Sequence, residues 1–207
     1  MDASILPALG LGFLLGLTHA LDADHVAAVG TLVSETAGLR RSSLLGASWG
    51  VGHSASLLVA GLLVLGLRFT IPPRFSAAAE FAVGLMLVGL GARAIWKVLR
   101  EKRLHWHVPF LIGCLHGLAG SGPLTLLVLG TLSSPLAGLA YLGLFSLGSI
   151  AGMSLLTGLL SFPMAYARER EPAFAGQVRM VAGAISLVLG LGLAGQIAAG
   201  GILLGRG

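Results

Sequence analysis

A single cysteine, Cys114, stands in 207 residues, and that scarcity removes several chemistries at once. No intramolecular disulfide, no Cys-x-x-Cys redox pair and no thiolate metal cage can be assembled from one thiol. Charge is nearly as scarce: Asp, Glu, Lys and Arg make up 10% of the chain, where a soluble domain carries about a quarter. With 56% hydrophobic residues and a mean hydropathy of +0.93, the chain lacks the polar surface of a water-soluble globule. It reads as an integral membrane protein. No Gly-x-x-x-x-Gly-Lys-(Ser/Thr) loop is present, so ATP coupling would need a partner. His-Glu-x-x-His is missing too, which counts against an intramembrane metal-dependent hydrolase. The apolar runs are continuous and lack the alternation of a lipid-facing strand, which excludes a barrel. Met1-Asp2-Ala3-Ser4 contains no basic residue, so the first apolar run is expected to be a permanent span rather than a cleaved signal.

What is present is long apolar sequence. Cut at charged and proline-bearing breaks, it falls into six segments, roughly 4–33, 43–67, 76–99, 108–131, 135–164 and 177–204, each reaching the ~20 residues a span requires. The first and fifth exceed that need, which predicts tilt or a local break. The 32 glycines lie inside these runs, where small residues let helices approach closely. The expected fold class is therefore an all-α integral membrane protein of six transmembrane helices, its one obligatory partner the lipid bilayer.

The net charge of +5 is not a nucleic-acid signal, because the basic residues sit in short loops between apolar segments. Arg40, Arg41, Arg93, Lys97, Arg100, Lys102, Arg103, Arg168, Arg170 and Arg179 belong to loops after odd-numbered segments; only Arg68, Arg74 and Arg206 fall on the other side. By the positive-inside rule the odd loops face the cytoplasm and both termini face outward across the cytoplasmic (inner) membrane.

An internal repeat is also readable. Gly16-Leu17-Thr18-His19 matches Gly113-Cys114-Leu115-His116; Ser48-Trp49-Gly50 and Ser56-Leu57-Leu58 match Ser146-Leu147-Gly148 and Ser154-Leu155-Leu156; Phe75, Gly84, Leu90 and Gly91 match Phe174, Gly183, Leu189 and Gly190. Three spans per copy is an odd number, so the second copy must insert upside down. The organisation is thus one membrane domain over 1–207, with repeat one at 4–99, a basic cytoplasmic loop at 100–107 and repeat two at 108–204. Inverted repeats of this kind place substrate sites near the midplane, between the halves.

Chemistry concentrates in Gly16-Leu17-Thr18-His19-Ala20-Leu21-Asp22-Ala23-Asp24-His25-Val26. Ionisable groups at bilayer depth are costly and are usually paired, metal-bound or part of a substrate pathway. Imidazole with carboxylate suits Ni²⁺, Co²⁺ or Zn²⁺. On a regular helix, at about 100° per residue, His19, Asp22 and His25 share one face and Asp24 points away. Unwinding near residues 20–24 would let all four converge, and such breaks are tolerated beside a cavity. A neutralised cluster that only fixes helix packing is the alternative. His53 lies in Gly50-Val51-Gly52-His53-Ser54-Ala55-Ser56, where glycines admit another backbone and Ser54 offers a polar partner; it reads equally as a ligand or a packing residue. His116-Gly117-Leu118-Ala119-Gly120-Ser121-Gly122-Pro123 keeps the histidine of the repeat but has Ala119, Ser121 and Gly122 in place of Asp22, Asp24 and His25. That half cannot hold a divalent ion by itself, and its glycines and Pro123 suggest a broken helix facing the site, with His116 and Ser121 as weaker pathway residues. His105 and His107, flanking Trp106, read as interfacial anchors, Glu35, Glu80 and Arg179 as helix-end charges, and Met153 as packing.

His19-Ala20-Leu21-Asp22-Ala23-Asp24-His25-Val26 resembles the signature of the nickel/cobalt transporter family, and Gly52-His53-Ser54 resembles that family's second motif. A six-span chain of this size is most similar to the family's shorter, urease-accessory-type membrane proteins. The resemblance implies secondary transport of Ni²⁺ or Co²⁺, as substrate rather than cofactor, with His19, Asp22, Asp24, His25 and His53 recognising the ion. It implies no enzymatic activity, and it suits metallochaperones or metalloenzyme-maturation proteins as partners. Uptake by alternating access is the expectation; export of a metal or small solute on the same fold is the alternative. A six-span thiol-disulfide carrier would need a cysteine in each half, and the counterpart of Cys114 is Leu17.

Overall fold

Proline opens most of the helices, at the position where its missing N–H costs nothing and its fixed φ suits the first turn. The structure, a computed structural model, describes residues 5–34, 38–67, 72–96, 107–119 and 134–200. Among them are seven helices: α1 (Ile5–His19), α2 (Ala23–Ser34), α3 (Leu39–Leu67), α4 (Pro73–Trp96), α5 (Val108–Leu118), α6 (Pro135–Arg170) and α7 (Pro172–Ala199). Pro73, Pro135 and Pro172 are first residues, and Pro109 is second in α5. Gly38, at φ 94°, turns the chain into α3, a left-handed conformation that glycine adopts without penalty.

Four helices, α3, α4, α6 and α7, are long and apolar enough to cross a membrane. The first expected span, 4–33, is not continuous. It is split into α1 and α2 by Ala20–Asp22, and the excess length read from sequence is taken up by this break. Leu21 N–H bonds Thr18 C=O at 2.9 Å and Asp22 N–H bonds His19 C=O at 3.1 Å, closing a tight turn; Val26 N–H to Asp22 C=O at 2.9 Å then starts α2. The Thr18 hydroxyl donates to the Leu14 carbonyl at 3.0 Å, the back-bonding that competes with helix propagation. The fourth expected span is helical over Val108–Leu118 and stops at Ala119, whose N–H returns to His116 C=O; the rest of it, with Ser121 and Pro123, lies outside the described residues, as do Glu35, His105 and most of the basic loop.

Packing between the helices is reciprocal. α1 lies on α6 and α5 on α3, while α3 pairs with α6 and α4 with α7. A Cβ on Gly52 of α3 would strike the backbone of Phe110 and Cys114 of α5; one on Gly148 of α6 would strike Phe13 and Leu17 of α1. Gly84 meets Gly190, and Gly91 meets Gly183. In the central pair, Gly46 faces Thr157 and Gly61 faces Leu142.

Polar residues are buried beside an apolar core, and large apolar side chains cover the outside. His25, His53, His116, Ser149, Thr157, Ser161 and Ser186 are buried, whereas Leu62, Leu85, Leu147, Leu155, Leu159, Val188 and Leu191 are exposed. Hydroxyls settle on nearby carbonyls, as in Ser186 to Leu87 at 3.0 Å and Ser161 to Gly158 at 2.7 Å. With no water in hydrocarbon to satisfy polar groups, this distribution suits a lipid solvent. The chain is a multi-pass membrane protein.

Candidate functional site

The break between α1 and α2 sets the geometry of the polar centre. His19 ends α1, Asp24 occupies the first turn of α2, and His25 follows it. A carboxylate there is favoured by the partial positive charge of the helix N-terminus, and Asp24 Oδ1 accepts the His25 backbone N–H at 2.9 Å. The same carboxylate oxygen lies 3.0 Å from His25 Nδ1, and Asp22 Oδ2 lies 2.7 Å from His19 Nδ1. Each pair is a carboxylate–imidazole dyad. A carboxylate on Nδ1 holds the proton there and leaves the Nε2 lone pair free. His19 Nε2 and His25 Nε2 are both buried without a hydrogen-bond partner among the described residues.

α3 and α5 supply the remaining groups. Trp49 and His53 stand four residues apart and share a face of α3. Gly113 and Gly117 of α5 sit against this stretch; a Cβ on either would collide with the backbone of Trp49 or His53. The small-x-x-x-small spacing brings the backbones together and seats His116 beside them. The result is a nest of rings. His25 is 4.6 Å, centroid to centroid, from both His19 and His116; His53 is 5.0 Å from His19 and 5.5 Å from His25. Trp49 stacks on His25 at 5.6 Å and approaches His116 at 5.3 Å, and Phe145 of α6 closes the His19 side at 5.6 Å.

Two sets of side chains bring their ligating atoms within 4.8 Å of one another: His19, His25 and His53, and Asp24, His25 and His116. Both nitrogens of His53 are buried and unpartnered among the described residues. His116 Nε2 reaches Asp24 Oδ2 at 3.5 Å, an electrostatic approach rather than a short hydrogen bond. Burying unpaired polar atoms in this way is costly unless something satisfies them. Their concentration at one point is the chemical signature of the centre: several imidazole lone pairs beside one carboxylate, in a site without thiols. That donor set matches borderline divalent transition metals.

Of the residues singled out in the sequence, His19, Asp24, His25, His53 and His116 converge. Asp24 does not turn away, because the helix is interrupted before it. Asp22 stays at the edge: its side chain is 55% exposed and reaches the centre only through His19. Ser54 is buried with its hydroxyl given to the Ser146 carbonyl at 3.3 Å, a tie between α3 and α6. Ser121 lies outside the described residues. Met153 is fully buried among apolar neighbours, and Arg179 donates to the Ser34 carbonyl at 3.1 Å, capping the end of α2. Trp49 and Phe145 were not expected at the site. The Trp49–His53 spacing of four on one helix was the available signal for the first; the approach of Phe145 depends on packing between distant helices.

Compared with known proteins, the chain is 35% identical to the urease accessory protein UreH of Bacillus sp. (strain TB-90), an alignment covering 92% of this chain and 91% of that protein. It is 28% identical to the chloroplast protein FOR GROWTH AND FERTILITY 1 of Arabidopsis thaliana and 26% identical to FOR GROWTH AND FERTILITY 2, over 88% and 93% of this chain and 57% of each of those proteins. No family model and no solved structure matches it.

Proposed function

The chain belongs to the family of the urease accessory protein UreH, and from that premise we propose that it is a secondary transporter of Ni²⁺, Co²⁺ or both across the cytoplasmic membrane. The observation that carries this reading is the His19–His25–His53 set, partly or fully buried, whose ligating nitrogens stand within 4.8 Å of one another in a chain with four helices long and apolar enough to cross a membrane. Nitrogens around a single tetrahedral ion stand about 3.3 Å apart, so a small contraction brings the set to binding geometry. Asp22 and Asp24 act as carboxylates that fix the tautomers of His19 and His25. Asp24 also supplies negative charge at the centre.

The reciprocal packing of α1 on α6 and α5 on α3 supports two inverted three-span halves within one membrane domain. Transport then proceeds by alternating access, with the halves rocking about the polar centre. The excess of Lys and Arg in odd-numbered loops supports termini outside. An inside-negative potential favours entry by about 2.3 kcal/mol per charge per 100 mV, and a divalent ion gains about twice that. The metal is cargo, and no catalytic step is assigned to the chain; a metal-handling protein on the cytoplasmic side would receive the ion.

The test is uptake of radioactive Ni²⁺ and Co²⁺ into proteoliposomes. His19→Ala and His53→Ala are expected to lower the rate at least about tenfold relative to wild type. Wild-type rates in both variants, with the protein inserted and folded, would sink the assignment of this centre as the transport site.

A further inference from the structure

We propose that the polar centre contains a second metal position, formed by Asp24, His25 and His116, and that a transported ion steps between it and the His19–His25–His53 position. The inference rests on the transport reading and adds a site within it. The ligating atoms of the second set lie within 4.8 Å of one another. His116 Nε2 faces Asp24 Oδ2 at 3.5 Å, His25 Nδ1 faces Asp24 Oδ1 at 3.0 Å, and His116 is 2% exposed.

The two positions differ in chemistry and in where their ligands come from. The first is three imidazoles and carries no charge of its own; the second includes a carboxylate and attracts the cation more strongly while holding it through fewer nitrogens. His19, His25 and His53 all come from the chain before residue 54, on α1, α2 and α3. Asp24 and His25 come from α2 but His116 comes from α5, in the other half of the sequence. The two positions thus draw on different helices: α1 and α3 complete the first and α5 the second, with α2 common to both.

His25 links the two. Its ring stands 4.6 Å from both His19 and His116. A neutral imidazole has one lone pair. With Nδ1–H on Asp24 its Nε2 serves the first position; when the Nδ1 proton is released to water and Nε2 takes one up in exchange, Nδ1 faces the ion, Asp24 changes from hydrogen-bond acceptor to ligand and the second position is complete. One neutral His25 cannot serve both positions at once, so they fill alternately and a single ion occupies the centre. The step is only a few ångströms, from an all-imidazole position to one that includes the carboxylate of Asp24.

The experiment uses the full chain and Ni²⁺ as probe, with equilibrium binding, nickel-edge X-ray absorption and proteoliposome flux measured on wild type, His116→Asn and His53→Asn. H116N is expected to bind one Ni²⁺ per chain in a three-imidazole shell, with affinity within about threefold of wild type, while its flux drops at least about tenfold. H53N is expected still to bind Ni²⁺, now in a shell with carboxylate oxygen and fewer imidazoles. Loss of all Ni²⁺ binding in folded H53N overturns the second position, as does H116N flux equal to wild type. If H116N does not fold, H116Q flux and H53N binding decide by the same criteria. A wild type that neither binds nor moves Ni²⁺ overturns the transport reading and this inference with it; active wild type beside an equally active H116N overturns the inference alone.

Discussion

At the scale of single residues, the two aspartates divide by exposure. Asp24 is 34% exposed, holds His25 through Nδ1 and faces His116; Asp22 is 55% exposed and pairs with His19. Replacing a carboxylate that orients a ligand histidine costs about 10–100-fold in metal affinity. Asp24→Asn is expected at the upper end of that range and Asp22→Asn at or below the lower end, measured by Ni²⁺ titration of purified protein. Equal losses would show that the two dyads are equivalent. Trp49 is wholly buried against His25 and His116. Trp49→Ala opens a cavity there and is expected to destabilise by about 3–5 kcal/mol, whereas Trp49→Phe keeps a stacking ring and should lose clearly less. Denaturation in detergent measures both.

At the scale of elements, the spacing of small residues decides which helices touch. A Cβ at Gly117 meets the His53 carbonyl and Ser56, while one at Gly143 of α6 meets nothing within 4 Å. Gly117→Leu is therefore expected to push α5 off α3 and abolish metal binding. Gly143→Ala should be neutral or stabilising by up to about 1 kcal/mol, read as a thermal shift in detergent. The helices themselves were largely legible, because continuous apolar runs bounded by proline and charge admit few other structures. The break at Ala20–Asp22 was legible as an excess of length and as the unwinding near residues 20–24 that would let both histidines and both aspartates converge, although a regular helix fits the same residues. The convergence of Asp24 with His116 was not legible: it depends on α5 seating against α3 through Gly113 and Gly117, far away in sequence. His19, His25 and His53 could be named from motif and spacing; Trp49 could have been, from its place one turn before His53.

At the scale of the whole molecule, transport of a divalent cation is electrogenic unless another ion compensates. A potassium diffusion potential, inside negative, imposed on proteoliposomes is expected to accelerate Ni²⁺ entry, with about 4.6 kcal/mol of driving force per 100 mV for two charges. Uptake indifferent to that potential would point to compensating counter-transport. Fusion reporters at each end check the orientation, both termini being expected outside.

The interleaved helices also bear on how the chain is made. α1 packs on α6 and α5 on α3, so neither half can complete its own contacts. Synthesis runs at about 5–20 residues per second. Between His19 at the end of α1 and Pro135 at the start of α6, roughly 6–23 seconds must pass at that rate. Throughout that interval the nascent first helix, with a histidine at its tip and two aspartates just beyond it, lacks its main packing partner. Assembly in the membrane is therefore slow and late. The polar stretch from His19 to His25 must be sheltered before the packing that buries it is complete.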